Sequence, residues 1–190
     1  MKAVLQRVKS ASVTVDGQLI SSIGKGILVL AAVGKDDTKK DAEAMAGKVL
    51  KLQMWDDDKG GRWKKNVRDI GGEILCVSQF TLLASTKKGN KPSFHKSAGP
   101  DPAKELYTAF FSKVQDLYEK GKVKDGVFQA MMDVALVNDG PVTLEIDTDP
   151  PKMDIPGATD SSGDKVKLED LLTKIGKIQK EYQIPAELLQ

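Results

Sequence analysis

The chain is poor in the residues that most enzymes use for chemistry. Its 190 residues include one cysteine, Cys76, and one histidine, His95. A lone cysteine excludes an intrachain disulfide and a cysteine-rich metal centre. A lone histidine excludes any site that needs two imidazoles from one chain, and a Ser-His-Asp triad would have to use His95. Arginine is scarce, three against 26 lysines, and aromatic residues make up 5 %. No apolar run approaches the roughly 20 residues of a membrane-spanning helix. The opening MKAVLQRVKS lacks the apolar block of a signal peptide. The expectation is a cytoplasmic protein with no membrane attachment.

Hydrophobic residues at 40 % and charged residues at 29 % suffice for a packed core. Net charge is +2, which forces no nucleic-acid reading. Its distribution says more. Residues 1–146 hold 23 lysines and arginines against 18 acids, and residues 147–190 hold 6 against 9. The sign changes where the texture becomes rich in Pro, Gly, Asp and Ser. This predicts a domain over 1–147 and an extension over 148–190, the latter a linker followed by an amphipathic helix over 167–182.

Within the domain, residues 2–8 and 12–20 read as strands, the second folding back at Asp16-Gly17, a strong hairpin signal. GILVLAAV (26–33) reads as a central strand. Residues 38–53 read as a helix with Thr38 and Asp41 as a capping pair and Ala42, Met45, Ala46, Val49 and Leu50 at helical spacing. Residues 72–83 (GEILCVSQFTLL) read as one strand. A second helix is expected with Asp101 as its cap, Pro102 in its first turn, a buried stripe of Leu106, Phe110, Val114 and Leu117, and Gly121 at its end. Residues 128–137 and 142–147 read as two strands separated by Asn138-Asp139-Gly140-Pro141. The class is α+β: a strongly bent, largely antiparallel sheet or β-barrel flanked by two helices, plus a C-terminal extension with one helix.

Most chemically interesting residues have plain explanations. Cys76 lies between Leu75 and Val77 and reads as packing. His95 has no evident acid partner. Asp56, Asp57 and Asp58 precede Lys59-Gly60-Gly61 and read as a solvated turn. Ser78, Gln79, Phe80 and Thr81 are harder to dismiss, because polar groups interrupting an apolar strand lose stability unless they are paired, and a ligand pocket would pair them. A pocket and a packed strand both remain open on pattern alone. Asn138-Asp139-Gly140-Pro141 reads as a turn.

AVLQRV and SVTV, then SQFTL (78–82), KPSFHKS (91–97) and NDGPVT (138–143), resemble the D-aminoacyl-tRNA deacylase family in order and spacing, over residues 1–147. The resemblance implies hydrolysis of the ester joining a D-amino acid, or glycine, to tRNA. It implies a homodimer whose active site is completed across the interface, with no metal and no organic cofactor. Ser78, Gln79, Phe80 and Thr81 would be catalytic, with the N–H groups of Gln79 and Phe80 forming an oxyanion hole. Gly140 and Pro141, joined by a cis bond, would enter the facing subunit's site and reject L-amino acids, with Arg7 and Asn138 supporting them. Lys87, Lys88, Lys91, Phe94 and Lys96 are candidate tRNA contacts, and Lys59, Arg62, Lys64, Lys65 and Arg68 bracket Trp63 in a second basic cluster. The chain departs from the family at Ser97, where glycine is usual, and in its extension. The rival reading is a non-catalytic RNA-binding module on the same fold.

Overall fold

The computed structural model describes residues 1–87 and 89–149. The expected linker and helix of the extension, and Lys88, lie outside the described residues.

One long strand organises the domain. β1 (Lys2–Val15) pairs with β3 (Gly26–Ala32) through its first half and with β2 (Gln18–Ile23) through its second. β6 (Asp133–Asp147) lies antiparallel along its other edge. Asp16 and Gly17 both adopt positive φ, 49° and 78°, as a tight Asp-Gly hairpin requires. From β3 the chain crosses through α1 (Lys39–Lys51) to β4 (Glu73–Ser78), which lies parallel to β3. α2 (Pro100–Leu117) then leads to β5 (Val123–Asp125), parallel to β4. Three pairings are antiparallel and two parallel, so the sheet is mixed, a nearly closed, barrel-like α+β arrangement with two helices.

The sheet is buried on both faces at its centre. Ile27, Val29, Ala31, Ile74 and Cys76 pack with Met45, Leu50, Phe110 and Val114 of the helices. The alternate residues Leu28, Leu75 and Val77 pack with Val8, Val13 and Ile23 inside the bend. Burial on both faces explains why β3 reads as an unbroken apolar run. At Gly26 a Cβ would lie 1.8 Å from the Glu73 carbonyl oxygen, so only glycine lets β4 approach there.

Several expectations need correction. Residues 2–8 and 12–15 are one strand, bent where its pairing with β6 shifts between Gln6 and Val8 and again between Val8 and Ser10. Residues 128–132 form a turn and irregular chain, and Asn138-Asp139-Gly140-Pro141 lies inside the single strand β6. That segment bulges against Arg7 without reversing the chain. The strand expected over 72–83 ends at Ser78, and Phe80–Leu83 is a 3-10 turn. α2 is capped by Gly99, which places Asp101 in its first turn beside the positive end of the helix dipole. α2 ends at Leu117 rather than near Gly121, and Leu117 is 39 % exposed. Tyr107 takes the buried position instead, its hydroxyl donating to Asp125 Oδ1 at 2.5 Å. α1 starts from Thr38 with Asp41 as its capping partner, as the sequence indicated.

Candidate active site

β4 ends because its hydrogen bonding changes at Gln79. The Gln79 N–H donates to the Ala31 carbonyl at 2.7 Å, the last tie to β3. The chain then tightens: Leu82 N–H donates to Gln79 O at 3.2 Å and Ala84 N–H to Thr81 O at 3.0 Å. The opening N–H groups of a 3-10 turn have no partner within it, so those of Phe80 and Thr81 are unspent there. This corrects the expected pair of donors. Gln79 is committed to Ala31, and the candidate oxyanion donors move one residue on, to Phe80 and Thr81.

Ser78 and Gln79 are half-buried, while Phe80 and Thr81 are exposed. The Gln79 side-chain amide donates to Thr81 Oγ1 at 2.6 Å, a contact that no spacing or motif signals. The amide N–H is a donor, so it cannot take the proton that a nucleophilic hydroxyl must lose. Phe80, 56 % exposed, meets Phe94 edge-on with ring centroids 5.0 Å apart. Next to Phe94, Ser93 pairs with Ser85 through two main-chain bonds of 2.8 and 2.9 Å, which brings this segment back toward the end of the turn. Lys87, Lys91 and Lys96 of this region are exposed. A cavity of about 360 Å³ opens beside the turn, with Leu83, His95, Lys96 and Lys35 on its walls. His95 is exposed, and Ser93 Oγ lies 3.0 Å from its Nδ1.

The second motif is stapled from two sides. Arg7 Nε donates to the Asp139 carbonyl at 3.0 Å and faces the Asp139 carboxylate at 3.3 Å. Its Nη1 donates to the Met54 carbonyl at 2.5 Å. Asn138 Oδ1 accepts the Val142 N–H at 3.0 Å, and its Nδ2 donates to Thr143 Oγ1 at 3.2 Å. Between these staples Gly140 and Pro141 are exposed, and the peptide joining them is cis. Gly140 has φ +125°, and a Cβ there would lie 2.9 Å from Val142 Cγ2 and 3.0 Å from Arg7 Nη2. Asp139 and Thr143 take part in these staples although sequence reasoning gave neither a role. Both stood inside the NDGPVT motif, which was the only available signal.

Within one chain the two motifs are not brought together. The bulge sits level with Arg7, which pairs with Ile27, and Ile27 pairs with Ile74, four residues before Ser78. β6 and β4 are three strand steps apart. At about 4.8 Å per strand and 3.3 Å per residue, the separation along the sheet is roughly 20 Å.

Cys76 is fully buried, and desolvation pushes its thiol well above the ordinary value, so it stays protonated and inert. Burial likewise raises the Asp125 carboxyl, opposed by the hydrogen bonds from Tyr107 and Gly126. Neither group belongs to the exposed turn. Among the described residues, no cluster of three or more His, Cys, Asp or Glu side chains is arranged to hold a metal, and no helix is long and apolar enough to cross a membrane.

Residues 4–147 match the family described as D-Tyr-tRNA(Tyr) deacylase. The chain is 55 % identical over 150 residues to the D-aminoacyl-tRNA deacylase of Yarrowia lipolytica, spanning 78 % of this chain and 97 % of that one. It is 47 % identical over 151 residues to D-aminoacyl-tRNA deacylase 1 of Homo sapiens, spanning 80 % and 72 %. Among solved structures it matches a c-Myc DNA Unwinding Element Binding Protein with a TM-score of 0.75 and 47 % identity, spanning 78 % of this chain and 99 % of that one. A probable eukaryotic D-amino acid tRNA deacylase shares the fold alone, with a TM-score of 0.64 and 16 % identity, spanning 76 % and 97 %.

Proposed function

The chain belongs to the D-Tyr-tRNA(Tyr) deacylase family and is a D-aminoacyl-tRNA deacylase, and from that premise we propose that main-chain groups, not an ionisable side chain, carry its reaction. An aminoacyl ester is already activated, and the terminal ribose offers a neighbouring hydroxyl. Hydrolysis then needs a positioned attacking oxygen and a home for the oxyanion. The observation that carries this reading is the turn after Ser78, where Gln79 N–H is spent on Ala31 and the next two N–H groups emerge on an exposed surface. Phe80 and Thr81 N–H would receive the oxyanion, a kind of contact whose loss costs about a hundredfold or more in rate. Among the described residues the Thr81 hydroxyl is hydrogen-bonded to the Gln79 amide and to no carboxylate or imidazole, so the ribose hydroxyl is the better candidate to assist the attack.

Chirality is the work of a second copy. A site that uses both motifs, roughly 20 Å apart along one sheet, draws them from two subunits of a homodimer. The stapled Gly140-Pro141 loop of one subunit then faces the turn of the other. Its fixed carbonyls hold the α-amino group and fill the space an L side chain would need. Glycine, with no side chain, passes the same filter, so a tRNA for alanine mischarged with glycine is also a substrate. The role is chiral proofreading in translation, in the cytoplasm. Lys87, Lys91 and Lys96 grip phosphates beside Phe94, and binding weakens steeply with salt.

The test is direct. D-Tyr-tRNA, the glycyl-tRNA and L-Tyr-tRNA are incubated with pure protein, and released amino acid is followed. The first two are cleaved and the third is spared. Rapid cleavage of L-Tyr-tRNA overturns the reading, as does a monomer by light scattering that is fully active.

A further inference from the structure

We infer that the loop over residues 55–65 is an RNA-binding arm, with Trp63 stacking on the tRNA while Arg62 and Lys64 contact its phosphates. The inference rests on the reading of tRNA as substrate and adds a contact that neither motif supplies.

The two tryptophans of the chain have opposite fates. Trp55 is 5 % exposed and anchors the loop's root, where its carbonyl accepts the N–H groups of Lys64 and Lys65 at 2.8 Å each. Trp63 is 47 % exposed at the far limb. The loop is internally ordered. Asp57 Oδ1 accepts the N–H groups of Lys59 at 2.9 Å and Gly61 at 2.7 Å. Asp56 Oδ1 accepts the Trp63 N–H at 3.1 Å, and Asp58 pairs with Lys65 Nζ at 2.7 Å. The three acids thus occupy the first limb and are engaged in shaping the loop. The indole stands on the second limb between Arg62 and Lys64. Both are exposed, and among the described residues neither has a carboxylate within ion-pair distance.

Trp63 also sits at φ +55°, in the left-handed region that disfavours bulky residues and suits glycine. A solvated loop has no use for an indole there. An exposed aromatic flanked by unpaired cations is the pattern that stacks a base and holds its phosphates. Position supplies the remaining argument. The Arg7 guanidinium binds the Met54 carbonyl, at the base of the arm, and the Asp139 carbonyl, at the base of the Gly140-Pro141 loop. The arm therefore stands beside the loop proposed to enter the partner's site, where the acceptor end of a bound tRNA must pass.

The experiment uses the full chain, with Trp63→Gly and the double variant Arg62→Glu/Lys64→Glu. Three readouts are taken: affinity for uncharged tRNA, hydrolysis of D-Tyr-tRNA, and hydrolysis of D-tyrosyl adenosine, which lacks the rest of the tRNA. Trp63→Gly should melt no earlier than wild type, because glycine suits that φ, yet weaken tRNA binding and kcat/KM on D-Tyr-tRNA about tenfold. Its rate on the adenosine ester should hold. The double variant should weaken tRNA binding comparably and flatten its salt dependence. Unchanged tRNA affinity in both variants overturns the proposal, including in favour of an acidic protein as the arm's partner. Equal losses on tRNA and on the adenosine ester overturn it in favour of a structural role. A wild-type protein that cleaves neither ester refutes the functional reading instead, and the tRNA affinities of the variants still decide the arm.

Discussion

Arg7 and Asp139 meet where β1 and β6 fall out of register, the guanidinium donating to the Asp139 carbonyl at 3.0 Å while facing its carboxylate at 3.3 Å. The other arm of the fork holds Met54 O, so one planar group fixes two separate chain segments. The side chain of Arg7 is only 17 % exposed, so the carbonyls it serves have little access to water as a substitute. Arg7→Ala should cost about 1–3 kcal/mol in denaturant melts by orphaning them. It should also lower D-aminoacyl-tRNA hydrolysis, because the Gly140-Pro141 loop loses its support. Arg7→Lys should not restore activity, since an ammonium lacks the fork. Full activity in the lysine variant would contradict the staple.

Gly140→Ala addresses the loop itself. A Cβ would press on Val142 Cγ2 and Arg7 Nη2 at a φ of +125°. The substitution should destabilise by about 1–3 kcal/mol, and it should raise the relative rate on L-Tyr-tRNA more than it alters the rate on D-Tyr-tRNA. Parallel kinetics on both enantiomers would separate the loop from discrimination.

Thr81→Ala distinguishes the two chemical routes. It keeps the main-chain N–H and removes the hydroxyl. Single-turnover rates should fall by less than about tenfold, because a lost acyl-enzyme nucleophile would instead cost several orders of magnitude. Rapid-quench measurement on D-Tyr-tRNA reads this directly.

At the start of α1, Asp41 accepts from the Thr38 hydroxyl at 2.6 Å and the Thr38 N–H at 2.8 Å, which holds its carboxyl below the ordinary value. A carboxyl lowered by folding stabilises the native state above its unfolded pKa and loses that contribution as pH falls through the folded one. Stability should therefore decline below about pH 4. Thr38→Ala should cost about 1 kcal/mol at pH 7 and progressively less toward pH 2. Urea titrations at each pH check this, and a cost that does not change with pH would rule out the linkage.

Local chemistry was readable where it alone decides the structure. Asp16-Gly17 makes its hairpin whatever surrounds it, Thr38 and Asp41 satisfy each other, and GILVLAAV is apolar because both sides of β3 are covered. Outcomes that depend on a distant partner were not readable. SQFTL suits a strand as well as a 3-10 turn, and the deciding bond reaches from Gln79 to Ala31. Asn-Asp-Gly-Pro has turn chemistry, yet its pairing with β1 converts it into a bulge. On α2, Leu117 is exposed at the last residue, and Tyr107 is buried where Asp125, on a later strand, receives its hydroxyl. The site residues were legible as motifs. Their separation across the sheet was not, since it follows from strand order.

In the proposed homodimer, that separation would make the assembly tolerant of damage in an unusual way. Consider one population broken at the turn and another whose Gly140-Pro141 loop is cut away so that nothing holds the α-amino group, each inert alone. If subunits exchange at random, half of the resulting pairs are hybrids, and each hybrid rebuilds one sound site from its two healthy halves. About a quarter of the original centres would return, so two dead proteins mixed in one tube should recover activity that neither possesses.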